Sequence, residues 1–137
     1  MVSVEGHAAF FRFARGESDV GALATRTPQG GVAVLLWNYH DDDLPGPDAA
    51  VRWTIKGRKP KDTGTATAWR VDESHGNSFA AWKAMGSPQS PNAAQYEQLE
   101  KASVLEAQAL QTQNVRRGTV QLDLSIPRQG VALVVLD

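Results

Sequence analysis

The chain contains no cysteine, which excludes a disulfide scaffold, a thiolate zinc site and a cysteine nucleophile. It also lacks an excess of either charge, with 14 Lys and Arg against 15 Asp and Glu. That balance argues against nucleic-acid or anionic-membrane partners, whose affinity comes mainly from neutralising phosphates. Long apolar runs are missing too. The longest, residues 32–37 and 131–136, are six residues each, whereas a spanning helix needs about twenty. The first residues show no basic segment followed by an apolar stretch of signal-peptide length. We therefore expect no membrane span and no secretory signal, which favours a cytoplasmic location. What remains is ordinary globular composition, 42% hydrophobic over 137 residues, the length of one domain spanning residues 1–137.

The dominant hydrophobic period is two. Val51, Trp53 and Ile55 alternate with Arg52, Thr54 and Lys56. Val120, Leu122, Leu124 and Ile126 alternate with Gln121, Asp123 and Ser125. Such alternation predicts antiparallel strands with one wet face, and Trp53 reads as core. The runs VAVLLWNY and VALVVLD do not alternate, so they read as strands covered on both faces. TATAWRV (65–71) is a further strand, with AAFFRFA and GALATR as weaker candidates. Turns are expected at TPQGG (27–31), at Arg116-Arg117-Gly118 and at Pro127-Arg128-Gln129-Gly130, where glycine permits the reversal. The sum is a mainly β fold, an antiparallel β-sandwich of about 7–8 strands. A short helical excursion interrupts it near residues 78–102. Phe79, Trp82 and Met85 are spaced for one helix; a second is expected to start at Ser90-Pro91, with Ser as N-cap. Tyr96 and Leu99, with Ala102 or Ser103, give that second helix a modest apolar face. Residues 103–113 suit either more helix or a return to strand.

Several clusters invite a chemical reading. Trp37-Asn38-Tyr39-His40-Asp41-Asp42-Asp43 places a histidine beside three carboxylates, donors that suit a divalent metal. Adjacent side chains on an extended chain point apart, so we read it as a solvated acidic loop with no metal. Asp72-Glu73-Ser74-His75-Gly76-Asn77 offers two carboxyl groups, but a strand would splay Asp72 and Glu73, and adjacency makes neither a glycosidase pair nor a triad. Lys56-Gly57-Arg58-Lys59-Pro60-Lys61 is cationic without interleaved aromatics and reads as a solvated turn. No cofactor-binding pattern is present. Trp82, Tyr39 and Trp69 are candidate platforms for a sugar ring, with Trp82 favoured beside the polar loop.

Three blocks, VLLWNYHDDD, VDESHGNSFAAWKAMGSPQSP and IPRQGVALVVL, resemble in order the C-terminal region of bacterial β-xylosidases of glycoside hydrolase family 39. The resemblance runs from about Ala22 to the end. It implies the accessory β-sandwich that follows a catalytic (β/α)8 barrel, which itself takes about 200 residues or more. Both catalytic glutamates of that family lie in the barrel, so no catalytic residue transfers to this chain. By this analogy the chain is not an enzyme on its own, and its partner is a family 39 barrel in cis or in trans. Asp72, Glu73, His75, Asn77 and Trp82 would lie at the domain interface, near the substrate entrance. The alternative is a free-standing module binding xylo-oligosaccharide through Trp82, Tyr39 or Trp69. The family sandwich also borrows a strand from before the barrel; a chain without it would expose a sheet edge through which copies could associate. Ser103 stands where the family has a glycine, and the stretch after it is poorer in aromatic residues than the family pattern.

Overall fold

The computed structural model describes residues 9–10, 19–42, 44–57, 66–116 and 118–136. Strands β1 (Ala9–Phe10), β2 (Val20–Arg26), β3 (Val32–Asn38), β4 (Ala49–Lys56) and β5 (Ala66–Val71) precede two helices, α1 (Ser78–Ala84) and α2 (Ala93–Ser103). Strands β6 (Gln108–Leu110), β7 (Gln113–Arg116), β8 (Thr119–Ile126) and β9 (Gly130–Leu136) follow. They form a six-stranded antiparallel sheet in the order β1-β2-β3-β9-β5-β6 and a three-stranded one in the order β4-β8-β7. The two sheets enclose one core, as the alternating strands require. The cationic segment expected as a turn at residues 56–61 lies outside the described residues beyond Gly57.

Small and large side chains face each other across this core. The large sheet contributes Ala22, Ala24, Ala66, Ala68 and Ala132, with Val34, Leu36, Val134 and Leu136 on its central strands. The small sheet answers with Trp53, Ile55, Leu122, Leu124 and Ile126. Trp53 is 2% exposed, a core residue as its alternation implies. The methyl-lined flanks leave room for the bulky side chains opposite, which is how two inner faces reach close packing.

The central runs depart from the sequence reading. β3 and β9 are neighbours in the middle of the large sheet, yet among the described residues only one face of each is fully buried and the other is half-buried or exposed. Val134 and Leu136 are buried, whereas Val131 and Leu133 are exposed. On the outer face the Trp37 indole lies over Gly21, its register partner on β2; a Cβ at Gly21 would fall 2.3 Å from the ring. Edge pairing departs as well. Ala9 and Phe10 pair with Ala24 and Leu23, so this chain's own N-terminal residues occupy the edge there.

The turns are mostly as expected. Thr27 and Gly31 close the β2–β3 hairpin with a 3.0 Å hydrogen bond, and Gly30 takes φ +88°. In the last turn the left-handed residue is Gln129 (φ 57°), not the glycine. Gly130 is needed for another reason: a Cβ there would meet the Pro127 carbonyl at 2.8 Å. The second helix starts later than Ser90-Pro91. Asn92 is its N-cap, in a capping box with Gln95, whose reciprocal bonds satisfy two end donors at once. It ends at Ser103, and the chain returns to strand as β6. Neither helix has a buried residue, and α1 packs on α2. The apolar face foreseen for α2 therefore does not reach the core; Tyr96 is exposed. Among the described residues no helix is long and apolar enough to cross a membrane.

Two tests follow from this packing. Gly21→Ala forces the Trp37 indole off its seat and should cost about 1–3 kcal/mol, the range for overpacking, measured by chemical denaturation with tryptophan emission as probe. On the wet face of the small sheet, Arg52 Nε lies 2.7 Å from Asp123 Oδ1. The hydrogen bond from Arg52 holds the Asp123 carboxyl below its ordinary range. A lowered folded value means stabilisation that is full above the usual carboxylate range and lost as pH falls through the folded one. Asp123→Asn should thus lower the melting point at neutral pH, with the difference from the parent chain vanishing in acid. Screening by solvent keeps that difference small.

Candidate functional site

One end of the sandwich gathers the three loops that carry the family-like blocks. The loop after β3 (residues 39–48), the loop after β5 (72–77) and the β8–β9 turn (127–129) surround a cleft of about 550 Å³ with the first turns of α1. Each loop is clamped by its own polar side chains.

Asp72 organises the second loop. Its carboxyl is buried, with Oδ1 accepting from the Ser74 amide and from His75 Nδ1, both at 2.8 Å. Oδ2 lies 3.8 Å from Arg70 Nε, and Arg70 Nη2 donates to the Ser125 carbonyl, tying the loop to the other sheet. The Asp72 amide donates to the His75 carbonyl, and Asn77 Nδ2 donates to the Asp72 carbonyl. Asn77 then caps α1, its Oδ1 accepting from the Ala80 amide at 3.0 Å. Gly76 (φ +57°) is required twice, by its left-handed backbone and because a Cβ would strike Leu105 at 2.8 Å, where the chain leaves α2. This contact closes the base of the helical excursion.

The first loop is held by the last turn. Arg128 Nη2 is 2.5 Å from Asp42 Oδ1, and the Arg128 side chain lies across Gly46, which has no Cβ to obstruct it. Gln129 Nε2 donates to the His40 and Asp42 carbonyls at 2.7 and 2.9 Å. Those two bonds offset the cost of its left-handed backbone. His40 sits between Asp19 Oδ2 (2.8 Å from Nδ1) and Asn38 Oδ1 (2.9 Å from Nε2), and the buried Asn38 donates to the Ile126 carbonyl. His40 and Asp42 of this loop thus bind protein groups instead of converging. Among the described residues no group of three or more His, Asp or Glu could hold a metal ion; Asp43 lies outside them.

Of the residues singled out in the sequence, Asp72, Glu73 and Asn77 line the cleft. Asp72 faces inward and Glu73 outward, the splay expected of neighbours on an extended chain. His75 is half-buried beside Asp72; among the described residues no hydroxyl is hydrogen-bonded to its Nε2, so a nucleophile–base pair is absent there. Trp82 is half-buried, donates from Nε1 to the Pro88 carbonyl and stacks on Phe79 at 5.6 Å. Tyr39 is exposed and Trp69 half-buried on the outer sheet face; neither they nor Trp82 line the cleft. The sequence reading missed Leu44, Phe79 and Lys83 at the cleft. Leu44 and Phe79 are 67% and 60% exposed, and the Lys83 ammonium lies 4.8 Å from the Phe79 ring. Phe79 stood in the helical pattern and was legible as a contact residue only once its helix proved to have no core to face.

Comparison with solved structures gives the same blocks a context. The GH39 enzyme of Xanthomonas axonopodis pv. citri superposes with a TM-score of 0.63 at 18% identity, over 85% of this chain and 25% of that one. This chain has the fold of part of a family 39 glycoside hydrolase. A bacterial orthologue of human α-L-iduronidase gives 0.62 at 23% identity, over 86% of this chain and 22% of that one. A GH39 β-xylosidase of Caulobacter crescentus gives 0.55 at 19% identity, over 85% and 22%. The chain therefore spans about a quarter of the length of these three proteins. No family model and no curated protein matches it.

Removing the buried Asp72 carboxyl takes the acceptor from the Ser74 amide and a charge partner from Arg70, which keeps its bond to the Ser125 carbonyl. Asp72→Ala should cost about 2–4 kcal/mol, and amide exchange should accelerate at Ser74 and Ala80 while β3 and β9 stay protected.

Proposed function

We propose that this chain is a non-catalytic accessory sandwich of a β-xylosidase-like glycoside hydrolase. It packs against a catalytic (β/α)8 barrel, in cis or in trans, and its cleft end forms part of the rim of the substrate entrance. The observation that carries this reading is the cleft itself. Around loops locked by hydrogen bonds, Leu44, Val71 and Phe79 stand at the cleft 67%, 41% and 60% exposed, an apolar rim open to solvent. Leaving a Leu or Phe exposed forgoes about 1.5–3 kcal/mol of burial per side chain, a gain that a docked partner recovers. The clamps pre-order the loops, so little entropy is lost on docking. Glu73 and Lys83 form no ion pair among the described residues and stand ready for counter-charges on a partner. In this arrangement Asp72 and Asn77 are positioning residues, Trp82 keys α1 to the link before α2, and His75 braces Asp72.

The likeness in fold to a quarter of several glycoside hydrolases supports a role within a larger enzyme. The test is a chimera in which this chain replaces the matching quarter of the Caulobacter crescentus β-xylosidase. The chimera should hydrolyse an aryl β-xyloside, the chain alone should not, and Phe79→Glu in the chimera should lower kcat/KM by roughly tenfold or more. Turnover by the chain alone, abolished by His75→Ala, would instead make it an enzyme. Saturable quenching of its tryptophan fluorescence by xylobiose, lost in Trp82→Ala, would make it a sugar-binding module.

A further inference from the structure

His40 stands just past the end of β3, beside the start of β2, and both nitrogens of its ring face acceptors. Nδ1 lies 2.8 Å from Asp19 Oδ2, and Nε2 lies 2.9 Å from Asn38 Oδ1. The Asn38 amide is not free to turn over. Its Nδ2 donates to the Ile126 carbonyl at 3.1 Å, and a reversed amide would set two oxygens against each other at a residue only 2% exposed. Asn38 Oδ1 is therefore fixed toward the ring as an acceptor. A neutral imidazole has one N–H and can satisfy one of these two oxygens; the imidazolium satisfies both. A carboxyl group is ordinarily a stronger acid than an imidazolium, so the proton between Asp19 and His40 belongs to the ring.

We propose that His40 is a proton-operated latch on the first loop of the cleft. With two protons its ring ties the loop to Asp19 and Asn38, and loss of one proton releases it. The backbone around the ring shows what the latch holds. The Tyr39 amide donates to the Asp19 carbonyl at 3.0 Å, so Asp19 grips two successive residues. The His40 carbonyl accepts from Gln129 Nε2 at 2.7 Å, joining the same point to the β8–β9 turn. Leu44, at the cleft, follows in the same loop, its amide donating to Asp42 Oδ1. When the ring loses a proton, one N–H···O contact becomes a lone pair facing an oxygen. The His40 side chain is 19% exposed, so little water can replace the lost bond. Of the charged groups on the elements around it, Asp19 touches the ring; Arg128 on the β8–β9 turn is paired with Asp42, and Asp41 is exposed on the loop. The latch is thus closed on the acid side, where the ring is charged, and opens as pH rises through the titration of histidine. It acts on the loop itself, whether or not a barrel docks at the cleft.

Amide exchange on the full chain tests the latch, read at Tyr39 and Leu44 with each rate divided by that of an unstructured peptide at the same pH. Between about pH 5.5 and about pH 8.5, either side of histidine's ordinary range, protection at both amides should fall. A fall of about tenfold or more corresponds to the loss of one charge-assisted hydrogen bond. Val134 in β9 and Leu122 in β8 should keep their protection. Asp19→Asn, which retains the backbone carbonyl but not the charge, should open at lower pH, and in His40→Gln the fall should be absent. Protection at Tyr39 that is equal at both pH values overturns the proposal. So does an equal fall in His40→Gln, or an opening pH that Asp19→Asn leaves unmoved. Should the variants fail to fold, the parent chain with isotopically labelled histidine decides. In acid both ring nitrogens of His40 should carry protons shielded from exchange with water, and an Nε2 with a bare lone pair there overturns the proposal.

Discussion

The structure depends on a mismatch of side-chain size across the gap between its sheets. The inner face of the large sheet carries alanines at positions 22, 24, 66, 68 and 132 beside its Val and Leu, and the small sheet contributes Trp53, Leu122 and Ile126 to the same core. Once the sheets are stacked, the ends of β3, β5 and β8 stand at one end of the molecule. Asn38, Asp72 and Ile126 are the last inward-facing positions before the three loops. The core therefore places the loops, and the loops have only to be tied to one another.

That tying uses polar groups at the margin of the core. Asp72 and Asn38 are the buried polar residues among those described, and each satisfies backbone donors or acceptors that the departing strands leave open. The helical excursion shows the same economy. It buries no side chain of its own, yet the Asn77 cap, the Asn92–Gln95 capping box and the Gly76–Leu105 contact fix both of its ends. Ordering about 26 residues that add nothing to the core costs conformational entropy.

Much of this was legible in the sequence. The alternation in β4 and β8 identified the residues of the small sheet that point inward, because a period of two admits one assignment of faces. The hairpin at residues 27–31 followed from its turn chemistry. The later start of α2 did not, since Ser90-Pro91 and Asn92 are both acceptable caps by residue type, and Gln95, three residues after Asn92, decides between them only through the reciprocal bond. In the last turn the left-handed residue was misplaced from Gln129 to Gly130, because the force holding Gln129 there is a pair of bonds to a loop some 90 residues away in sequence.

Local periodicity and turn residues by themselves determined that the chain is an antiparallel sandwich with a helical interruption, because those signals lie between neighbours in sequence. Tertiary structure alone decided the rest. It brought the His40–Asp42 loop under Arg128 and Gln129, made Asp72 a brace, and turned Phe79 outward onto a cleft. Among the described residues it also buried one face of β3 and β9 more deeply than the other, for a physical reason no sequence window contains. An uninterrupted apolar run states that a strand wants two covered faces, but only the packed fold reveals how many of them the chain can cover itself.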